Sequence, residues 1–360
     1  MNNNSRLNTL HYLRGLAALF VVAFHFRGYL NNVYSQSDLG NLLFSGGTVG
    51  VDVFFMISGF IIVFATKRKQ PKIKMFVDFI LRRFFRVYPL LWFCLFIGFL
   101  TIYKHYDFID MFRSLVPLHE NYNKSPPTFE YNLMGPAWTL TYEIYFYFLF
   151  SISMMINHRF RSFICSGLII FQVLFIQYLF DGEMSFSALN TLNGHNDFLN
   201  FLSNTMLFEF IVGMIFYELF YSNRLSEFIQ SNKLLLSRLS YLFLGVFIVL
   251  FSARYNNSFG PQGLGVWALF LFAYVVINDK FNNVKDIRVL SFLGDISYAL
   301  YISHYIVRDS ISKYHLLLWE HTSGFSRFIF VFSVSLLVAI FLHFTIEKPC
   351  VRLGKRLVSK

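Results

Sequence analysis

An all-α bundle of about ten membrane-spanning helices is what this sequence predicts, and three observations carry that reading. Of its 360 residues, 56% are hydrophobic and only 14% are charged. Mean hydropathy is +0.51, whereas a soluble domain carries about 25% charged residues. The apolar residues fall in ten runs, at about 10–30, 47–66, 87–103, 135–157, 162–180, 201–221, 238–254, 263–278, 290–310 and 325–346. Each run is near the ~20 residues that cross the hydrocarbon of a bilayer.

The longest polar stretch, roughly 104–135, is too short for a folded domain of its own. Residues 1–360 therefore read as one transmembrane domain with no additional soluble domain, no internal repeat and no low-complexity tract. An even number of spans puts both termini on one side. With the termini in the cytoplasm, 22 Lys and Arg residues fall inside, from Arg6 through the Lys67, Arg68, Lys69, Lys72, Lys74 cluster to Lys360. Five fall outside: Lys104, Arg113, Lys124, Arg254 and Lys313. That asymmetry predicts N-in, C-in, and it accounts for the net charge of +11 without nucleic acid. The three cysteines, Cys94, Cys165 and Cys350, are far apart and form neither a metal pattern nor a disulfide framework. The first apolar run lacks a clear small-residue cleavage site, so it reads as a span rather than a signal peptide.

That first run holds Arg14 and His25. At about 100° per residue, eleven residues make close to three turns, so both project from nearly one face about 16 Å apart. Ionisable groups inside a bilayer are costly and tend to mark function. Snorkelling explains Arg14 alone and packing explains His25 alone, whereas a shared face suggests one polar path. A histidine titrates near neutrality and can take a proton from a hydroxyl and return it.

The second run opens GTVGVDVFFMISGF. Gly47 and Gly50 allow close backbone approach. Asp52 either caps the helix or bonds the imidazole of His25, fixing its tautomer. Ser58 and Gly59 read as tight-packing residues. At the third run, Arg83 and Arg86 in RRFFRVYP are i,i+3 neighbours at the cytoplasmic entry. They serve topology, or they clamp phosphate. The fourth run, PAWTLTYEIYFYF, carries Glu143 among Trp138, Thr139, Tyr142 and Tyr145. A carboxylate within a span is hard to excuse as packing. Tyr122, Tyr131 and Trp138 suit stacking on a sugar, although aromatics also gather at membrane interfaces in general. In the ninth run, Ser297, Tyr301 and His304 share one helix face. That polar stripe is a hydrogen-bond seam or a substrate path. Glu347 and Pro349 follow the tenth run, where capping and charge balance are the natural roles.

Taken together and in order, these segments resemble the acyltransferase 3 family of membrane acyltransferases, over about 10–349. The Arg-x10-His pattern falls on Arg14 and His25, and Gly-Val-Asp-x-Phe-Phe-x-x-Ser-Gly-Phe on Gly50 to Phe60. Arg-x-x-Arg-x-x-Pro falls on Arg83, Arg86 and Pro89, and Ser-Tyr-x-x-Tyr-x-x-His on Ser297 to His304. Two positions depart mildly: Thr139 stands where Ser is usual in Trp-Ser-Leu-x-x-Glu, and Lys348 where Arg is usual in Glu-Arg-Pro. The resemblance implies a multi-pass O-acyltransferase of the bacterial cytoplasmic (inner) membrane, with acyl-CoA, acetyl-CoA first, as donor. The acceptor it implies is a sugar hydroxyl of a surface polysaccharide such as O-antigen. No metal and no tightly bound cofactor are expected, and membrane lipids are the surrounding partner.

On that expectation His25, Asp52 and Glu143 are catalytic. His25 is a general base, or less simply a transient acyl carrier. Arg14, Arg83 and Arg86 bind the donor phosphates. Trp138, Tyr142, Ser297, Tyr301 and His304 line the acceptor path. The rival reading is a transporter or glycan flippase, which uses intramembrane polar residues equally well. Transporters often show inverted repeats and paired broken helices, and none is visible here.

Overall fold

The computed structural model describes residues 7–67, 71–103, 106–130, 133–194, 197–222, 224–282, 284–316 and 318–358. Arg6, Arg68, Lys69, Lys104, Tyr131 and Lys360, which entered the readings above, lie outside them. Numbering only the long helices and the C-terminal one, the order is α1 (Asn8–Phe26), α2 (Val49–Ala65), α3 (Lys72–Thr101), α4 (Trp138–Ile156), α5 (Arg161–Asp181) and α6 (Phe208–Phe220). It continues with α7 (Lys233–Ala253), α8 (Leu264–Phe281), α9 (Arg288–Tyr314), α10 (Gly324–Leu342) and α11 (Lys348–Val358). No strand occurs among the described residues.

Nine of these segments are long and apolar enough to cross a membrane. The tenth membrane-length helix, α9, has 27 residues and is too polar to qualify by hydropathy. Its polarity faces inward: Ser297, Ser303 and His304 are buried, and α9 packs most heavily on α1 and α10. A helix that hides its polar stripe among neighbours need not be apolar along its length.

Position in the bundle follows from which faces lack polar groups. In α2, 72% of the span is buried, against 11% in α7, so α7 is a peripheral, lipid-facing helix packed on α8. Small residues set the inner crossings, because helices already in lipid associate by close packing. A Cβ on Gly15 of α1 would lie 2.8 Å from the backbone nitrogen of Gly294 in α9. A Cβ on Gly59 of α2 would fall on the Phe210 carbonyl of α6, and one on Gly213 on the Met56 carbonyl. Gly47 and Gly50 bring α2 against the carbonyls of Phe20 and Ala17 in the same way.

The apolar run at 87–103 is longer as a helix than its hydropathy suggests, because α3 starts at Lys72. Its first turns are amphipathic: Met75 and Phe79 are buried while Ile73 is exposed. At the other end of the chain, α10 runs through a π turn at His343–Glu347 into α11. There Gly354 seats against Phe85 of α3. Arg83, Arg86 and Glu347 are thereby held where α3 and the end of α10 meet.

Candidate active site

A cavity of about 410 Å³ opens between α1, α2, α3, α4 and α9. Ligand pockets of about 300–1,000 Å³ are typical. Its walls are mostly apolar, from Leu10, Phe54, Phe55 and Ile61, with a small convergent set of ionisable groups: Arg14, Arg83, Arg86 and Glu143. Three helices, α1, α3 and α4, thus bring these four residues together, and Ser58, Thr139 and Tyr301 line the same cavity.

The charges are unevenly matched. Arg86 Nη1 lies 2.8 Å from Glu347 Oε1, and Glu347 Oε2 lies 2.8 Å from His343 Nδ1. The π turn aims Glu347 at this pair; such turns are frequent at functional sites. Arg83 lies over the rings of Tyr147 and Phe79, at 5.1 and 5.5 Å, and among the described residues its buried Nε has no hydrogen-bond partner. Glu143 accepts from Ser58 Oγ at 2.8 Å and from the Tyr147 hydroxyl. Ser58 is therefore a polar contact across α2 and α4 rather than a packing residue. Among the described residues, neither Arg14 nor Arg83 has a carboxylate within ion-pair distance. An apolar pocket with guanidinium groups of unspent charge suits an anionic ligand with an apolar arm.

His25 is not part of the cavity wall. It stands beyond Tyr301, which lines the cavity, shares a 2.9 Å hydrogen bond with Thr139 Oγ1 and donates to the Pro136 carbonyl at 3.2 Å. The Tyr301 ring is 6.2 Å from that of His304, and the His304 ring is 5.2 Å from that of His25. The Tyr305 hydroxyl lies 3.1 Å from His25 Nδ1. His304 Nδ1 lies 3.2 Å from the Leu300 carbonyl, so Nδ1 is the donor. Its buried Nε2 then carries a lone pair with no donor facing it. The polar path along α1 thus runs from the cavity to His25, with the Tyr301–Thr139 pair as a partition.

The structure does not form the expected contact between Asp52 and His25. Asp52 is fully buried, accepts from the Gly260 backbone N–H at 3.1 Å and meets Glu209 of α6. The imidazole is held from the opposite side by α9. Trp138 and Tyr142 are buried rather than presented to an acceptor. Tyr142 donates to the Pro127 carbonyl at 3.0 Å and packs 4.6 Å from the Phe201 ring. Trp138 lies edge-on to Phe259. Ser297 returns its hydroxyl to the Gly294 carbonyl within its own helix at 2.8 Å. These aromatic and hydroxyl groups form the frame around the path.

Sequence reasoning passed over Tyr305 and Glu209. Glu209 carries a visible signal, a lone carboxylate in the run FEFIVG. Tyr305 carries none beyond its place next to His304.

A cavity between the spans lined by three arginines, with a histidine cluster beyond Tyr301, defines a polytopic helical membrane protein with an interior polar site. Comparison makes the class definite. Residues 7–344 match the family model described as an acyltransferase domain, and the chain belongs to this family, acyltransferase 3. It is a multi-pass membrane acyltransferase. It is 24% identical over 318 residues to the exopolysaccharide production protein ExoZ of Rhizobium meliloti, covering 87% of this chain and 92% of that one. It is 25% identical over 378 residues to the acyltransferase MdmB of Streptomyces mycarofaciens, covering 98% and 93%. With the O-acetyltransferase OatA of Staphylococcus aureus it shares 26% over 299 residues, which is 76% of this chain but 48% of OatA. No solved structure matches.

Proposed function

We propose that this enzyme moves an acyl group, acetyl first among them, from cytosolic acyl-CoA to a hydroxyl of a surface polysaccharide sugar, across the bacterial inner membrane. The observation that carries the reading is the two-part path: an apolar cavity ringed by Arg14, Arg83 and Arg86, joined through Tyr301 to His25. The charge bias turns the cavity's arginine end to the cytosol, where acyl-CoA is found. Guanidinium groups suit its phosphates, and the apolar walls suit the acyl-bearing arm. The relatives include a protein named for exopolysaccharide production and one named as an O-acetyltransferase, which supports the glycan hydroxyl as acceptor.

The reaction is a single displacement. The acceptor oxygen attacks the thioester carbonyl while His25 takes the hydroxyl proton. The C–O bond forms, the C–S bond breaks, and the departing CoA thiolate takes the proton back from His25. In the base-competent tautomer, His25 Nδ1–H donates to the Tyr305 oxygen and Nε2 holds the lone pair. His304 Nε2, unpartnered in the same cluster, is a second acceptor for the incoming hydroxyl. Glu143, held by Ser58 and Tyr147, places its carboxyl group on the cavity wall that Arg14, Arg83 and Arg86 also line.

The test is transfer from labelled acetyl-CoA by purified protein, with surface glycans read by mass spectrometry. His25→Ala at wild-type membrane levels is expected to lower transfer by ~10²–10⁴-fold, as loss of a general base does. Arg83→Ala is expected to raise the donor KM. Unchanged transfer in His25→Ala rejects the assignment of the base. Absence of any acetyl-CoA turnover with intact substrate translocation favours a flippase instead.

A further inference from the structure

Three arginines crown the end of the path opposite the cavity. Arg27 follows α1, Arg308 lies near the end of α9 and Arg327 near the start of α10. The charge bias puts these ends outside, where Lys and Arg are disfavoured. The outer segments 31–46 and 181–200 indeed contain neither, so orientation in the membrane gives no reason for three arginines here.

Each guanidinium is shelved on an aromatic ring: Arg27 at 3.8 Å over Phe24, Arg308 at 4.1 Å over Tyr305, Arg327 at 4.1 Å over Trp319. Among the described residues these are the three shortest cation–ring contacts, the others being 4.8 Å or longer. Two of the shelves touch the histidine. The Phe24 ring is 5.0 Å from that of His25, and the Tyr305 hydroxyl bonds His25 Nδ1. The third is joined through Tyr29, whose ring is 5.7 Å from Trp319.

Their hydrogen bonds leave charge to spare. Arg27 donates to Asn41 Oδ1 at 3.0 Å and the Phe24 carbonyl at 2.7 Å, and Arg327 to the Trp319 carbonyl at 3.1 Å. All three acceptors are neutral. The buried Arg327 Nε has no hydrogen-bond partner among the described residues. Among the described residues, Asp309, 2.7 Å from Arg308 Nε, is the one carboxylate in ion-pair range of any of them. Guanidinium groups held by stacking, with N–H groups left over, are prepared for a carboxylate or phosphate.

We propose that Arg27, Arg308 and Arg327 form an extracytoplasmic subsite for an anionic group that the acceptor carries close to the acylated hydroxyl. The inference rests on the acyl-transfer reading and adds the acceptor's charge to it. Two sources supply such a group: an acidic substituent of the sugar, or the diphosphate of a lipid-linked glycan. A neutral, unlinked glycan does not satisfy the subsite. Contacts to the His25 shelves favour the acceptor over bulk lipid phosphate, because they point the charge at the reacting hydroxyl.

The test isolates the glycan whose acylation depends on His25 and sequences it by mass spectrometry. The expected product bears a carboxylate or phosphate on or next to the acylated sugar, or is acylated only while attached to lipid diphosphate. The first result identifies the sugar's own charge, the second the carrier's. A neutral glycan acylated free of diphosphate overturns the proposal. Arg308→Gln and Arg327→Gln are expected to lower acylation about tenfold or more, the scale of a charge-assisted hydrogen bond, with the KM for acetyl-CoA unchanged. Partial recovery in Arg327→Lys separates charge from folding. Full acylation in both glutamine variants overturns the subsite. So does a defect present in phosphatidylglycerol nanodiscs and absent in phosphatidylcholine, which assigns the arginines to lipid. No glycan acyl group that depends on this protein at all rejects the acyl-transfer reading instead, and the subsite with it.

Discussion

Tyr305→Phe isolates one atom of the proposed machinery. The hydroxyl lies 3.1 Å from His25 Nδ1. The ring below it packs against Gly135, whose added Cβ would fall 2.6 Å from Cε1, and carries Arg308 at 4.1 Å. Phenylalanine keeps both ring contacts and removes the hydroxyl that bonds His25. A neutral hydrogen bond contributes about 0.5–1.5 kcal/mol net, which corresponds to roughly two- to tenfold in rate. Removing the imidazole itself should cost ~10²–10⁴-fold. The assay is kcat/KM for acetyl transfer with the variant at matched membrane levels. A loss equal to that of His25→Ala would show that Tyr305 transfers the proton itself. An unchanged rate would show that the imidazole needs no orientation from α9. Either result refutes the positioning argument.

Three further outcomes follow from the same geometry. Glu347→Gln removes the counter-charge of Arg86 and is expected to lower stability in detergent by about 1–3 kcal/mol, below the value for a fully buried pair because Arg86 is partly exposed; an unchanged melting temperature refutes this. Gly59→Ala drives a methyl onto the Phe210 carbonyl and is expected to cost about 1–3 kcal/mol, whereas Gly167→Ala, which meets nothing within 4 Å, is expected to be neutral or slightly stabilising. In the loop before α4, His119 is buried against Tyr122, Phe129 and Phe201, and burial pushes its imidazole from 6.5 down to about 4. The unfolded loop therefore binds the proton first. The His119 contribution is fully present above pH ~6.5 and fades as pH falls toward 4, by about 3 kcal/mol in all. Hydrogen-exchange protection of the 118–130 backbone amides, corrected for the intrinsic exchange rate at each pH, should fall over that window, and protection that is flat from pH 7 to 4 refutes it.

The spans were legible because apolar runs of membrane length report themselves. Helix α9 was legible for a different reason, the spacing of Ser297, Tyr301 and His304 on one face. The early start of α3 was hidden, since the charges of its first turns count against a hydropathy window while the helix simply continues along an amphipathic face. Arg14, Arg83 and Arg86, read together as donor-binding residues, line one cavity, and Glu143, read separately, lines it too. The partner of Asp52 was not readable. Depth in the membrane is encoded by position along a span, but the neighbour faced at that depth depends on helix order in the bundle. Gly47 meets Phe20 and Gly50 meets Ala17, so Asp52 sits about two turns deeper than His25; there it meets Glu209 of α6, while His25 turns to α9.

The wide turn at His343–Glu347 has one more effect. A π turn, closed by i→i+5 hydrogen bonds, winds less per residue than an α-helix, so the helix after it faces differently from an unbroken α-helix. That offset directs Glu347 inward and lays Gly354 on Phe85. Were the same five residues wound as ordinary α-helix, the last eleven would face another side. The C-terminal segment would then lose its seat, and Arg86 its anchor, in one step. A frame of this kind ties the tail of the chain to the mouth of the pocket without any contact between the tail and the ligand.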